Sequence, residues 1–402
     1  MVGAGPGGSS TAWHLAQQGI DVVMLDRAEF PRDKVCAEYL SPQASRILSA
    51  MGAMDAIDAS GPAHLTGMRV RSPNGDEIHG SFAALHGFRA FRDRGIAVRR
   101  SVLDEILVRR AQESGVRLLE RTRVTDVVRD GSGRVCGVSV LDPDGAMREL
   151  RAPLVVGADG LRSVIGRRLS LTRVSRFPRR IAFVAHFRNV AGVNEVGEMH
   201  VERDGYVGIA DVGHGLTNVA LVVPASAARV AASDPDAILD GWLARHPHLA
   251  ERFAAAERVE RVRATGPFAS STRRAWTHGA ALVGDAADFF DPFTGEGVYS
   301  ALRGGELLAP FAAEAARSEP AAAARALDGY EKARRSEFSG KWLVEKLISG
   351  TIAVPALINH AARALSRRKE MADLLVGVAG DFVPPSEVLT VGYFARLLVF
   401  GV

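Results

Sequence analysis

The stretch Gly3-Ala4-Gly5-Pro6-Gly7-Gly8 decides how this chain folds. Its G-x-G-x-x-G spacing allows a tight turn, a close approach of backbone to a pyrophosphate, and close packing of a helix on a sheet. A helix reads onward through Gln18, and a strand covers Ile20–Asp26. Phosphates belong at the amino end of such a helix, where free N–H groups and the helix dipole favour negative charge. Asp26 closes the strand 23 residues after Gly3, where a carboxylate can accept from a ribose hydroxyl. One feature conflicts: only Met1 and Val2 precede Gly3, whereas the fold needs a whole apolar strand there, central in a parallel sheet. Losing its buried side chains would cost about 1.5–3 kcal/mol each, against a total stability of about 5–15 kcal/mol. The expectation is therefore a true start some residues upstream.

Outward from that turn, Arg99–Ser114 carries apolar residues at helical spacing and leads into a strand near Val116–Leu119. Val124–Val128, Arg134–Leu141 and Met147–Arg151 read as an antiparallel meander with turns at Asp130–Gly133 and Asp142–Gly145. From about Ile181 to Phe268 the pattern changes to longer alternating strands, with a helix around Pro235–Arg245. Ala280–Val283 returns to a buried parallel-type strand, and the chain beyond Gly295 is mostly helical. This is an α/β chain with an α+β second lobe. Residues 1–60, 95–170 and 275–335 form a discontinuous Rossmann-like domain on a parallel sheet. Residues 61–94 and 171–274 form an inserted antiparallel-sheet lobe for the substrate, and 336–402 a helical C-terminal region.

Composition narrows the function. Fifty basic and 46 acidic residues leave a net charge of +4, and the arginines are scattered among acids rather than clustered with aromatics, which argues against nucleic acid. Cys36 and Cys136 are the only cysteines and lie a hundred residues apart, which argues against a dithiol or a cysteine metal site and fits a reducing cytoplasm. No metal is expected. No run of about 18 apolar residues suggests a membrane span. The densest stretches, Leu347–Leu365 and Val388–Val402, are interrupted by Gly, Pro, Asn, His or Arg. Near Lys341, the face made by Trp342, Leu343, Leu347 and Ile348 is expected to pack on the core, in preference to a membrane surface.

Two later segments bear on the cofactor. Val155–Ser163 ends a strand in Asp159-Gly160 and opens a short helix; alone, it reads as an ordinary strand-to-helix turn. Ala281–Ala287 brings Asp285 off the end of a buried strand, where a carboxylate can hold a polyol. Pro292 stiffens the following loop, and Gly295 and Gly297 bring bare backbone N–H groups to a helix start that favours negative charge on a ring such as reduced flavin. Only FAD, not NAD, has the ribityl chain and isoalloxazine to engage this segment.

All three segments resemble the FAD-binding superfamily of aromatic hydroxylases, tryptophan-type halogenases and geranylgeranyl reductases. The geranylgeranyl reductase family is the most similar, through Phe30–Pro42, Asp291–Gly297 and Gly380–Pro384. The resemblance implies that Asp26 and Arg27 hold the adenosine side and that Gly7 lies at the pyrophosphate. It implies cofactor contacts from Arg100 and backbone contacts to adenine from Val124. Cys36 and Ala37 would lie near the flavin, with Asp285, Gly297 and Val298 on the ribityl and ring. Ala37 replaces the glycine usual in the family.

The same resemblance implies hydride delivery from reduced flavin to a carbon–carbon double bond of a lipophilic, prenyl or polyketide-like substrate, with Cys36, Glu38 or Tyr206 as proton donor. Where prenyl reductases carry an aromatic run, this chain reads Tyr206-Val207-Gly208-Ile209-Ala210-Asp211, so a wider and more polar pocket is expected. An FAD-dependent monooxygenase acting on a small hydrophobic or aromatic metabolite is the alternative, and a non-catalytic prenyl-binding protein on the same fold a minor one. Halogenation is disfavoured, because Lys34 is the only lysine before Lys332. No second glycine turn follows a strand, so electrons would come from docked NAD(P)H, ferredoxin or another flavin.

Overall fold

A computed structural model describes residues 1–174, 179–230 and 234–399; the last residues of the Val388–Val402 stretch lie outside them. Helix α1 (Pro6–Ala16) springs from the glycine turn and strand β1 (Val23–Leu25) follows it. Val2 bridges Leu25 on one side and Gly157 on the other, both in parallel. Strand β1 pairs in parallel with β2 (Arg117–Leu119), and β3 (Val155–Gly157) with β4 (Ala280–Leu282). The central place in this parallel sheet is thus held by Met1 and Val2. Their groups are fully engaged: Val2 N donates to Val156 O at 2.8 Å, Leu25 N to Met1 O at 2.9 Å, and Ala158 N to Val2 O at 2.7 Å. The Met1 ammonium donates to Val23 O at 2.8 Å, and burial lowers its pKa to about 5. Between β2 and β3 the expected meander forms, with strands over Arg123–Arg129, Val135–Leu141 and Met147–Arg151 in antiparallel register.

The second sheet gathers distant segments. Strands over Arg180–Arg188, Thr217–Pro224, Gly205–Asp211 and Val196–Glu202 are antiparallel neighbours. The last pairs in parallel with Gly67–Arg71, which pairs with Glu77–Ser81. Alternation on these strands sends Phe183, Val207, Val219 and Leu221 to one face, where Trp242 and Leu239 of the Pro235–Arg245 helix cover them. The other face, with Ala182, Val184, Met199 and Ala220, looks back toward the parallel sheet.

Helix α2 (Gly297–Arg317) packs along α1, and α3 (Pro320–Ile352) returns beside it. The expected boundary at 335/336 falls inside α3, a single helix of 33 residues. Helices α4 (Pro355–Ser366), α5 (Lys369–Ala379) and α6 (Val391–Val399) follow. The apolar face expected on α3 is split. Ile348 is packed, but Leu343 and Leu347 are 48% and 42% exposed, while Lys341 is buried in an ion pair with Asp381. The buried Phe338, Lys341 and Val344 set the inward side of the helix, which turns Leu343 and Leu347 outward. Helix α5 reaches the second sheet at Gly80, where a Cβ would lie 2.3 Å from Val376 Cγ2. Gly80→Ala should therefore cost about 1–3 kcal/mol by overpacking. A thermal melt of the variant would show a lowered midpoint, and an unchanged one would contradict this account of the docking.

Candidate functional site

The glycine turn divides its labour. Gly3 sits at φ +94 and a Cβ there would lie 2.5 Å from Ala158 O; one on Gly8 would lie 1.9 Å from Gly3 O. These two glycines make the turn and its packing. Gly5, Pro6 and Gly7 instead line the large cleft between the two sheets. Gly5 caps α1 with no side chain across its amino end, which leaves backbone N–H groups facing the cleft.

Three cations ring that end. Arg100 is buried and pairs with Asp104 through Nε at 2.8 Å and Nη2 at 2.7 Å. Arg32 reaches the same Asp104 at 3.0 Å and stands 3.6 Å from Asp26. Lys34 opens onto the cleft beside Gly160; desolvation by the protein around it, with Arg100 nearby, lowers its pKa. Asp285 and Asp104 offset this in part, and a pyrophosphate would supply further negative charge. Asp26 is buried, its Oδ2 accepting from Ala4 N at 3.0 Å and its Oδ1 from Ala28 N at 2.9 Å. Arg27 points to solvent. Val124 lies in the meander, two residues beyond Thr122, whose N–H donates to Asp26 O at 2.8 Å. Asp159 is not brought to the cleft: its oxygens accept from Ser163 Oγ and Val164 N, both at 2.6 Å, capping the next helix. Arg32 was missed by sequence reasoning, although it stands two residues from Lys34.

Asp285, Pro292, Gly295, Gly297 and Val298 line the middle of the cleft together. Burial raises the Asp285 pKa, and Lys34 and Arg100 partly offset it. Gly295 has φ +73, and a Cβ would meet Tyr39 Cδ1 at 2.7 Å. The loop is pinned by Asp291, which sequence reasoning gave no role of its own. Its Oδ1 accepts from Tyr206 Oη at 2.6 Å and Phe293 N at 3.1 Å; its Oδ2 accepts from Arg180 and from Ser349 Oγ at 3.2 Å. Burial raises the Tyr206 pKa well above its ordinary value, helped by Asp291. That hydroxyl is held, not free.

Cys36, Ala37 and Glu38 face this loop from across the cleft. Glu38 is 2% exposed and sits at φ +61. Its Oε1 accepts from Arg100 N at 2.8 Å, and its Oε2 lies 2.6 Å from His186 Nε2 and 3.1 Å from Asn218 Nδ2. The other ring nitrogen, Nδ1, lies 2.5 Å from Glu260 Oε1, and Glu260 is 24% exposed. Burial alone would lower the His186 pKa, but hydrogen bonds and charge from Glu38 and Glu260 outweigh it and the net shift is upward. No short motif marks His186 or Glu260; they are joined only by folding.

The second sheet gives the cleft an apolar wall of Met68, Ala182, Val184, Met199 and Ala220, and the opposite side sets Phe290 and Trp342 beside the charged Asp288, Arg334 and Glu345. Gly208 and Ala210 contribute, as a widened pocket requires. Asp211 does not supply the polarity, because it turns away and accepts from Gly213 N at 2.8 Å; Asp288, Glu296, Arg334 and Glu345 bring charged groups to the cleft. Among the described residues, no group of three His, Cys, Asp or Glu side chains could hold a metal.

Bare glycines at a helix start, three converging cations and a glycine loop beside a buried carboxylate fit FAD. Residues 1–340 match the FAD binding domain family. A digeranylgeranylglycerophospholipid reductase of Methanopyrus kandleri is 31% identical over 95% of this chain and 93% of its own. A menaquinone reductase of Mycolicibacterium smegmatis is 31% identical over 77% of this chain and 74% of its own. Among solved structures, the myxobacterial chondrochloren halogenase, an FAD-dependent enzyme, is 26% identical with a TM-score of 0.77, covering 86% of this chain and 80% of its own. This chain belongs to the FAD binding domain family and, within it, to the geranylgeranyl reductase family of FAD-dependent oxidoreductases.

Proposed function

We propose that this flavoenzyme reduces carbon–carbon double bonds of a lipophilic, prenyl or polyketide-like substrate. The observation that carries the reading is the apolar wall from Met68 to Ala220, facing the Pro292–Val298 loop across from the buried acid Glu38. Gly5, Gly7, Lys34 and Arg100 would hold the pyrophosphate of FAD, Asp26 the adenosine side and Asp285 the ribityl chain. Pro292, Gly295, Gly297 and Val298 would lie along the ring. When bound and reduced, FAD supplies the hydride that adds to one alkene carbon.

This chain's own part is the proton for the neighbouring carbon. Glu38 relays it: its Oε2 takes the Nε2 proton of the His186 imidazolium and passes it to the carbon, which leaves the ring neutral. Glu260 holds Nδ1 and stabilises the charged ring, and water recharges the pair when product leaves. Tyr206 acts by position, holding Asp291 and with it the loop. Cys36 lies beside Glu38, whose backbone N–H points at its Sγ at 3.3 Å, and lines the cleft as a small apolar residue. The electron donor would be NAD(P)H, ferredoxin or another flavin.

The test is turnover of a polyprenyl substrate with chemically reduced enzyme under argon. Saturated product in the absence of oxygen is expected. Product that appears only with oxygen, carrying an added hydroxyl, would assign the chain to the monooxygenases instead.

A further inference from the structure

Among the described residues, eleven large apolar side chains stand open to solvent, and seven of them lie between Leu343 and Leu398. On α6, Val391, Phe394 and Leu398 recur at i, i+3 and i+7, which makes one stripe along the helix; Val391 is 88% and Leu398 65% exposed. The opposite side of α6 is anchored, since Tyr393 Oη donates to Met371 O at 2.9 Å. Helix α4 is tied to α6 by His360 Nε2, 2.9 Å from Leu397 O, and adds exposed Val354 and Leu357. It leaves α3 at a bend of 112°, and among the described residues no single helix is long and apolar enough to cross a membrane.

Charge accompanies this face. Lys346, Arg367, Lys369 and Arg396 are exposed around it, against Glu370 and Glu387 as exposed acids in the same helices and loops. The surface also begins where the cleft ends: the Lys346 ammonium stands 4.5 Å from the centre of the Phe290 ring, a wall of that cleft.

We propose that the α4–α6 face is a docking surface for an anionic lipid bilayer, lying in the interface with the cleft wall beside it. The combination of projecting apolar residues and a basic rim is what binds interfacial helices to negatively charged membranes. A protein partner would want a groove or a flat core with few charges; here the apolar side chains project and the cations flank them. The proposal does not depend on which reaction the cleft performs, because docking is measured without substrate.

The experiment is co-sedimentation of the full, flavin-loaded chain with two kinds of vesicle, one of phosphatidylcholine alone and one also containing phosphatidylglycerol. Binding to the second kind, weakened by salt, is expected. Phe394→Glu and Leu398→Glu should each lower the partition coefficient about tenfold or more, with flavin absorbance and melting midpoint unchanged because both side chains are exposed. Arg367→Gln with Arg396→Gln should weaken binding to the anionic vesicles. Protein left in the supernatant with both vesicles would overturn the proposal, as would binding insensitive to the two Glu variants. So would a dimer that Leu398→Glu dissolves in a protein that never binds vesicles, which would make the face a contact between copies.

Discussion

Gly5→Ala should give a folded but colourless protein. The backbone of Gly5 is at φ −75 and ψ −175, a conformation that alanine adopts without strain. Its Cβ would lie 3.6 Å from Arg32 Nη2 and 3.9 Å from Arg100 Nη2, with no closer neighbour. The flavin-free chain has room for the methyl group, so its melting midpoint should stay where it is. The pyrophosphate does not have that room, because the methyl stands between the end of α1 and the cations that would neutralise the phosphates. We expect FAD affinity to fall by about 100-fold or more, equivalent to roughly 2.7 kcal/mol. Gly8→Ala makes the contrast: with its Cβ 1.9 Å from Gly3 O, α1 cannot keep its place against the turn, and fold and flavin should be lost together. Quenching of FAD fluorescence on titration, beside melts of the flavin-free proteins, separates the two. Wild-type flavin content in Gly5→Ala would remove Gly5 from the phosphate site.

That contrast shows where the sequence was legible. The spacing of Gly3 to Gly8, the acid at Asp26 and the strand before Asp285 are local patterns whose physics is contained in a few consecutive residues, and the cofactor follows from them. Asp159 has the same local look as Asp285, a carboxylate just past a buried strand, yet it caps a helix while Asp285 lines the cleft. Only the path of the chain beyond the turn separates them. Asp211 failed for a related reason: alternation places it on a face, but the turn at Gly213 takes its carboxylate away. The pairs that hold the Asp291 loop and the Glu38 carboxyl were out of reach altogether. Arg180 and Asp291 are 111 residues apart, and Glu38 and His186 are 148 apart. No periodicity or motif connects such pairs; they meet because the second sheet lays its open face over the parallel sheet.

The Glu38–His186 pair carries the second large effect. If Glu38 relays the proton, Glu38→Gln removes the carboxylate that carries it while its amide oxygen can still accept from Arg100 N, so the cofactor end should be left intact. Reduction should slow by about 10²–10⁴-fold, the usual contribution of a positioned acid, with FAD binding unchanged. His186 supplies the pH dependence. Its pKa is raised above 6.5, so the charged ring that reloads Glu38 is present below the raised pKa and is lost as pH climbs through it. Turnover should therefore fall on the alkaline side. The ring's contribution to stability has the same sign: it is full below the unfolded pKa and disappears as pH rises through the folded one. The groups that set the shift are Glu38 and Glu260, with Arg99 3.3 Å from Glu260 opposing them and Asn218 neutral between. Glu260→Gln removes one of the two carboxylates that stabilise the charged ring, so the alkaline limb should move to lower pH with little change in the acidic plateau. His186→Gln should abolish the limb and leave a slow rate that does not vary across it. An NMR titration of the His186 ring in the flavin-free protein reads the same pKa without turnover. A Glu260→Gln titration identical to that of the wild type, or a Glu38→Gln enzyme that reduces substrate at full rate, would take the proton away from this pair and return it to Cys36.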